Sequence, residues 1–260
     1  MTNGGTGFRG GWSWHRRYGV ALMSVLIAAC QQQAEQRPPT PLDLNTVGSI
    51  SGEIRFEGAV PESMVLNLAS AAECKAQHAG QVAAGDVLVH DGKVANALVY
   101  IKEGLGERVF AVPSEPVVID QRGCLFIPRV AAGRVGQPVR FLNSDPLAHN
   151  VHASPQQSRG WNFILGLKGT SRETTVAKAE PVIEVKCDIH PWMKAYLGVF
   201  DHPYFAVTGS EGQFTLPNVP PGKYAIEAWH ERFGTRVAEI TVGEKEAKRV
   251  TMTFRAAAPQ

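Results

Sequence analysis

Residues 187–193 read "CDIHPWM" and place a thiol, an imidazole and a thioether at i, i+3 and i+6. Cysteine and methionine sulfur are soft donors that favour copper. A thiolate and imidazoles in a plane, with a weak axial methionine, describe a blue-copper electron-transfer site. One short loop then supplies three of four ligands, Cys187, His190 and Met193, and the fourth must come from elsewhere. A Cys-x-x-His pair also suits zinc, but structural zinc sites rarely use methionine, and no second Cys/His pair stands at comparable spacing. A binuclear copper site needs a second cysteine in the loop, which has only Cys187. A metal-free core in which the histidines only hydrogen-bond is the remaining alternative.

Positioning such ligands requires a rigid frame, and the 260 residues, with 26 glycines and 17 prolines, suit one or two compact, turn-rich domains. The first segment is set apart: Arg9, Arg16 and Arg17 precede the apolar run "YGVALMSVLIAAC", too short to span a membrane. Residues 1–29 read as a signal peptide. "LIAAC" resembles a bacterial lipobox, which implies Cys30 as a lipidated first mature residue; cleavage after Ala29 with Cys30 left as a thiol is the alternative. The polar "QQQAEQRPPTP" that follows reads as a tether over residues 30–47. Gln31 after the cysteine favours the outer membrane, so a periplasmic, lipid-anchored protein of a Gram-negative bacterium is expected, touching the membrane through its anchor alone. Removing Arg9, Arg16 and Arg17 from the 26 basic residues leaves 23 against 24 acidic ones, a net of −1, which carries no nucleic-acid footprint. Export also favours disulfides. With Cys187 reserved for metal, Cys74 and Cys124 are free to pair; a second metal site at "CKAQH" lacks nearby partner ligands.

From Gly48 onward the chain reads as short strands between turn residues, the pattern of β-sandwiches. "GSISGEIRFEG" alternates Ile50, Ile54 and Phe56 with polar positions. "NALVYIKEG" is a short apolar strand entered through the "HDGK" turn. "QPVRFLNSD" puts Val139 and Phe141 on one face, and "PVIEVKC" carries Ile183, Val185 and Cys187 to another buried face. Near the C-terminus, "RVTMTFR" aligns Val250, Met252 and Phe254.

Two family resemblances rest on these stretches. "GQFTLPNVPPGKYAIEAW", with "GSISGEIRFEG" and "NALVYIK", resembles the carboxypeptidase regulatory-like, or transthyretin-like, sandwich. About a hundred residues separate segments that lie close in that family. Residues 48–112 and 203–256 are therefore expected to form one sandwich, with 113–202 inserted or fused as another. "LFIPRVAAGRVGQPV" and "VRFLNSDPLAHNVHA", followed by "CDIHPWM", resemble the cupredoxins, the ligand loop being most similar to that of amicyanin. The fold class this implies is all-β: a cupredoxin-like Greek-key sandwich plus a transthyretin-like one.

The cupredoxin resemblance implies one type 1 copper held by His149, Cys187, His190 and, weakly, Met193. It also implies a backbone hydrogen bond from Asn150 to the cysteine sulfur, and electron exchange through the edge of His190 within an apolar patch that includes Pro191 and Trp192. Trp192 packed instead near "FDHPYF" is the alternative. His152 lies three residues from His149, so the two point to opposite faces of a strand. His202 and His230 read as structural residues or as part of a second site between domains, His78 and His90 as surface residues, and Arg129 as an exposed strand residue. The expected function is one-electron transfer to a protein partner, a cytochrome or a copper or quinone enzyme, without catalysis by the chain itself. The alternative is a copper-delivering, buffering or sensing module.

Overall fold

The structure, a computed structural model, describes residues 37–256. The expected signal peptide, Cys30 and the first part of the tether lie outside the described residues. Among the described residues regular structure is strand, apart from the one-turn helix α1 (Ala72–Lys75), and no helix is long and apolar enough to cross a membrane.

Four strands come first: β1 (Gly48–Glu57), β2 (Val89–His90), β3 (Lys93–Val94) and β4 (Leu98–Glu103). Then follow β5 (Val117–Gln121), β6 (Phe126–Ile127), β7 (Val130–Arg134), β8 (Val139–Asn143) and β9 (His149–Ala153). β10 (Trp161–Leu165), β11 (Ser171–Thr174), β12 (Glu180–Lys186) and β13 (Lys194–Phe200) continue the series. The chain ends in β14 (Phe205–Val207), β15 (Gln213–Val219), β16 (Gly222–His230), β17 (Gly234–Val242) and β18 (Ala247–Arg255).

The protein is all-β. The first and last groups close one sandwich between them, because β15 pairs antiparallel with β1, and β14 and β16 with β4. Its sheets run β15-β1-β3-β2, with β18 joined to β1 in parallel, and β14-β4-β16-β17. β5–β13 form sheets of their own, β10-β9-β12-β13-β7 and β11-β8-β5-β6. Alternation explains most of this: β1 turns Ile50, Ile54 and Phe56 inward onto Leu216, Ile226 and Phe254. The β2–β3 hairpin turns at Asp91-Gly92, both at positive φ, as a two-residue primed turn requires. β4 breaks the alternation. Val99 and Ile101 enter the core of the outer sandwich, while Leu98 and Tyr100 pack on Val130 and Phe200 across the seam between sandwiches. A strand buried on both faces reads as a continuous apolar run.

Arg129 departs from its expected exposure. It lies at the seam just before β7, where its guanidinium makes a bidentate pair with Glu231 and donates to the Ala84 carbonyl at 2.8 Å. The two side chains are only 12% and 7% exposed. Residues 58–88 also differ from the expectation that 48–112 belongs wholly to the outer sandwich. They contain α1 and one isolated bridge, Val65 to Ala83, and lie over the β5–β13 sandwich. Leu66, Leu68 and Ala84 pack there with Leu125 and Trp192. Cys74 of α1 is disulfide-bonded to Cys124, and Cys187 is a free, buried thiol.

Candidate metal centre

β9 and the β12–β13 hairpin are joined in one sheet, where Lys186 pairs with both His152 and Lys194. His149 is the first residue of β9, and Cys187 directly follows β12, so both stand at the same end of that sheet. The loop between β12 and β13 is closed by backbone bonds, Met193 N–H to the His190 carbonyl (2.9 Å) and Cys187 N–H to the Met193 carbonyl (3.2 Å). The i, i+3, i+6 spacing is thus folded back on itself, with Cys187 and Met193 facing each other at its base.

His149 Nδ1 lies 3.0 Å from His190 Nδ1, and Cys187 Sγ lies 3.9 Å from the same atom. The donor atoms of His149, Cys187 and His190 are mutually within 4.8 Å. His149 and Met193 are fully buried, Cys187 nearly so, and His190 is 7% exposed. Burial pushes the Cys187 thiol up, but hydrogen bonds from His149 and from backbone N–H groups of Asn150, His190 and Ile189 outweigh it and hold the thiol below its ordinary value. Burial pulls His149 down, yet the hydrogen bonds to Asp145 and Cys187 raise it to about 8. His190 is depressed by burial and by the neighbouring His149. The site therefore favours a thiolate beside two imidazoles, a donor set of soft sulfur and borderline nitrogen that fits copper.

Asn150 is expected from the sequence for its backbone N–H alone; its side-chain bonds, and the parts played by Asp145, Asn162 and Asp188, escaped the sequence reading. The Asn150 side chain accepts from Asp188 N–H (2.6 Å) and donates to Asn162 Oδ1 (2.9 Å) and Asp188 Oδ2 (3.1 Å), pinning the ligand loop to β9. Asp145 accepts a 2.8 Å hydrogen bond from His149 Nε2. In "NSDPLAH" that aspartate reads as a turn residue before proline, and the only signal of another role is its four-residue distance from His149. His152 points outward and bonds Asp188 at 2.8 Å.

Pro191 is exposed and Trp192 half-buried. The His190 ring borders a depression lined by the polar Ser70 and Glu73 as well as by Ala71, Ala72, Leu147, Ile189, Pro191 and Trp192. Trp192 does not reach the "FDHPYF" segment. Its ring centroid stands 5.2 Å from that of His190, its N–H donates to the Cys124 carbonyl (3.1 Å), and its body packs under residues 66–84. His202 and His230 are buried and accept from the backbone N–H groups of Tyr204 and Arg232, each at 3.2 Å. His90 is exposed, whereas His78 bonds the Gly123 carbonyl at 2.8 Å.

Residues 198–255 match the family model of the carboxypeptidase regulatory-like domain. That match begins within β13 and runs through β14–β18. Among solved structures, a copper-containing nitrite reductase from Thermus scotoductus is 26% identical, with 36% of this chain and 24% of that one covered and a TM-score of 0.31. This chain therefore spans about a quarter of that reductase. A purple cupredoxin from Nitrosopumilus maritimus is 20% identical over 32% of this chain and 98% of its own (TM-score 0.28). An oxidised amicyanin variant is 20% identical over 39% and 97% (TM-score 0.30). No curated protein matches the chain.

Proposed function

We propose that this chain is an exported blue-copper electron-transfer protein that holds one copper ion by His149 Nδ1, Cys187 Sγ, His190 Nδ1 and, weakly, Met193 sulfur. The observation that carries the reading is the convergence of a buried thiol and two imidazole Nδ1 atoms, drawn from strands fixed in one sheet. Copper bound there supplies a one-electron couple. The chain's own part is to hold the donors still in both oxidation states, which the closed ligand loop and the Asn150 side-chain bonds favour.

His190, bordering the depression with Pro191 and Trp192 at its rim, offers the route by which a protein redox partner, a cytochrome or a copper or quinone enzyme, exchanges the electron. The leader and "LIAAC" support export with a lipid anchor at Cys30 on the periplasmic face of an outer membrane. The carboxypeptidase regulatory-like sandwich is an accessory module on this reading. A copper-delivering, buffering or sensing role is the weaker reading, because fully buried His149 and Met193 favour retention over handover.

The copper-loaded protein should show an intense visible thiolate-to-copper band that Cys187→Ser abolishes and that cycles reversibly on reduction. A colourless wild-type complex, or rapid loss of copper to a mild chelator, would refute electron transfer. Mass spectrometry of the mature N-terminus should find diacylglycerol on Cys30.

A further inference from the structure

Asp145 is 1% exposed and carries a carboxylate into the core of the β5–β13 sandwich. Its three hydrogen-bond donors are all N–H groups: Gly123 N at 2.7 Å to Oδ1, Cys124 N at 2.7 Å to Oδ2, and His149 Nε2 at 2.8 Å to Oδ2. Its own N–H donates to Asn143 Oδ1 (2.9 Å), and the Asn143 amide is tied to the Leu147 and Leu165 carbonyls. The carboxylate is thus held from three directions. Among the described residues no lysine or arginine pairs with it, and His149 is its one ion-pair partner.

A buried carboxylate without a cation is strongly unfavourable. Two neutral backbone donors lessen that cost without cancelling the charge. Full compensation requires positive charge on the His149 ring, from a proton or from a cation at Nδ1, the ring atom that faces His190 Nδ1. With Nε2–H given to Asp145, the Nδ1 lone pair is free for a metal, so the carboxylate also selects the tautomer.

We propose that Asp145 is a positioning residue of the metal site: it fixes His149 with Nδ1 toward Cys187 and His190, and its buried charge favours the divalent over the monovalent state of the bound copper. The inference rests on the copper reading above. Its physical basis is differential. One thiolate and one carboxylate balance a divalent ion, whereas a monovalent ion leaves an excess negative charge in a dry core. A tie that only braced the loop would weaken both oxidation states alike.

The test is Asp145→Asn, which keeps the shape and one acceptor but removes the charge. Dissociation constants for Cu(II) and Cu(I) are measured by chelator competition, with the visible spectrum and the melting temperature of the metal-free protein alongside. Cu(II) binding should weaken about 10–100-fold and Cu(I) binding much less, so the reduction potential rises by about 59 mV per tenfold difference. Equal weakening of both states, or no change in either, overturns the proposal. If Asp145→Asn does not fold, the Cu(I)-loaded wild type decides: a slowly exchanging, strongly downfield Nε2–H resonance of His149 is expected, and a fast-exchanging or undetected ring proton overturns it. A wild type without the thiolate-to-copper band removes the copper reading and this inference together. A blue wild type with an indifferent Asp145→Asn removes the inference alone.

Discussion

The two sandwiches share a construction principle and differ in how they end their buried polar groups. In the outer sandwich each such group stops at a backbone partner or a fixed ion pair. Tyr204 donates to the Asn218 carbonyl, Thr208 to the Val94 carbonyl, His230 accepts from Arg232 N–H, and Glu227 meets Tyr100 and Lys102. At one end of the β5–β13 sandwich the polar atoms instead face one another: two Nδ1 atoms and a sulfur, all lone-pair donors, converge among buried side chains. Such an arrangement is unfavourable in a metal-free core unless protons or a cation sit among the donors. Fold similarity alone would not separate the sandwiches. The destination of each lone pair does.

The histidines show the same contrast. His202 and His230 are depressed to about 4, burial being the main cause, while His149 is raised to about 8 by Asp145 and Cys187 against the pull of burial. The outer sandwich keeps its imidazoles neutral, whereas in the other one imidazole, His149, is favoured in its charged form while its neighbour His190 is depressed.

The largest effect expected from breaking one side of this comparison is at the disulfide. Cys74 and Cys124 are 50 residues apart, and closing a loop of that length contributes about 4 kcal/mol in the chain-entropy model. A Cys74→Ser/Cys124→Ser variant should lose about that much, and hydrogen exchange should quicken in β5–β9 while β16–β17 stay protected. Equal acceleration throughout would mean that the sandwiches unfold as one body and cannot be compared as separate units.

The seam comes next. Arg129→Ala strands Glu231, which is 7% exposed, and should cost about 3 kcal/mol. The visible spectrum of the copper-loaded variant should remain that of the wild type, because Arg129 bonds none of the four proposed ligand side chains. A shifted band would show that the seam positions the donors.

A comparable effect per ring separates the histidines by pH. His202 and His230 have folded values near 4 against an ordinary 6.5, so between those values the unfolded chain binds more protons and stability falls as pH drops, by about 3 kcal/mol per ring. His149, raised to about 8, works the other way in the metal-free protein: its contribution is present below 6.5 and lost as pH climbs through 8. Asp86 and Asp145, both below the usual carboxylate value of 3.8, keep their charges through the first window. Metal-free protein should therefore gain stability as pH rises from 4 to 6.5, while above that the lowered Cys187 thiol works against the loss at His149; urea denaturation across about pH 4–9 checks it. A profile flat from pH 4 to 6.5 would contradict the neutral-imidazole half of the comparison.

What could be read in advance follows from where each signal is stored. The loop at residues 187–193 stands out in the sequence because three potential donors sit within seven residues, and β1, β8, β12 and β18 because alternation is written into each strand. The inward face of His149, against His152, follows from strand parity. Residues 58–88 were not legible, since they have no period and are held by a distant cysteine and scattered leucines. Arg129 is expected at the surface because an ionisable residue in a strand looks solvated until the partner that buries it is known, and Glu231 lies about a hundred residues away; Asp145 reads only as a turn residue, and nothing in its own segment shows that its carboxylate is buried. Trp192 stands beside His190, and what covers it comes from that same aperiodic segment.

The smallest expected effect is also the sharpest test of register. His149 and His152 stand on one strand, three residues apart, and β9 turns the first fully inward while leaving the second side chain 27% exposed beside Asp188. His152→Ala removes a surface pair worth at most about 1 kcal/mol. Asp188 would stay anchored by the amides of Asn150 and Asn162, each at 3.1 Å, and by its own N–H to Asn150 Oδ1. The ligand loop should therefore not move, and the copper-loaded variant should keep the wild-type band and melt within a few degrees of it. His149→Ala, by contrast, should bleach or convert the band, because no other imidazole reaches that position along β9. The two substitutions test parity directly: a one-residue slip of β9 against β10 would turn every side chain of the strand over. Loss of the band in His152→Ala with its survival in His149→Ala would put the wrong face of the strand at the metal, and with it the placement of Asn150 and Asp145.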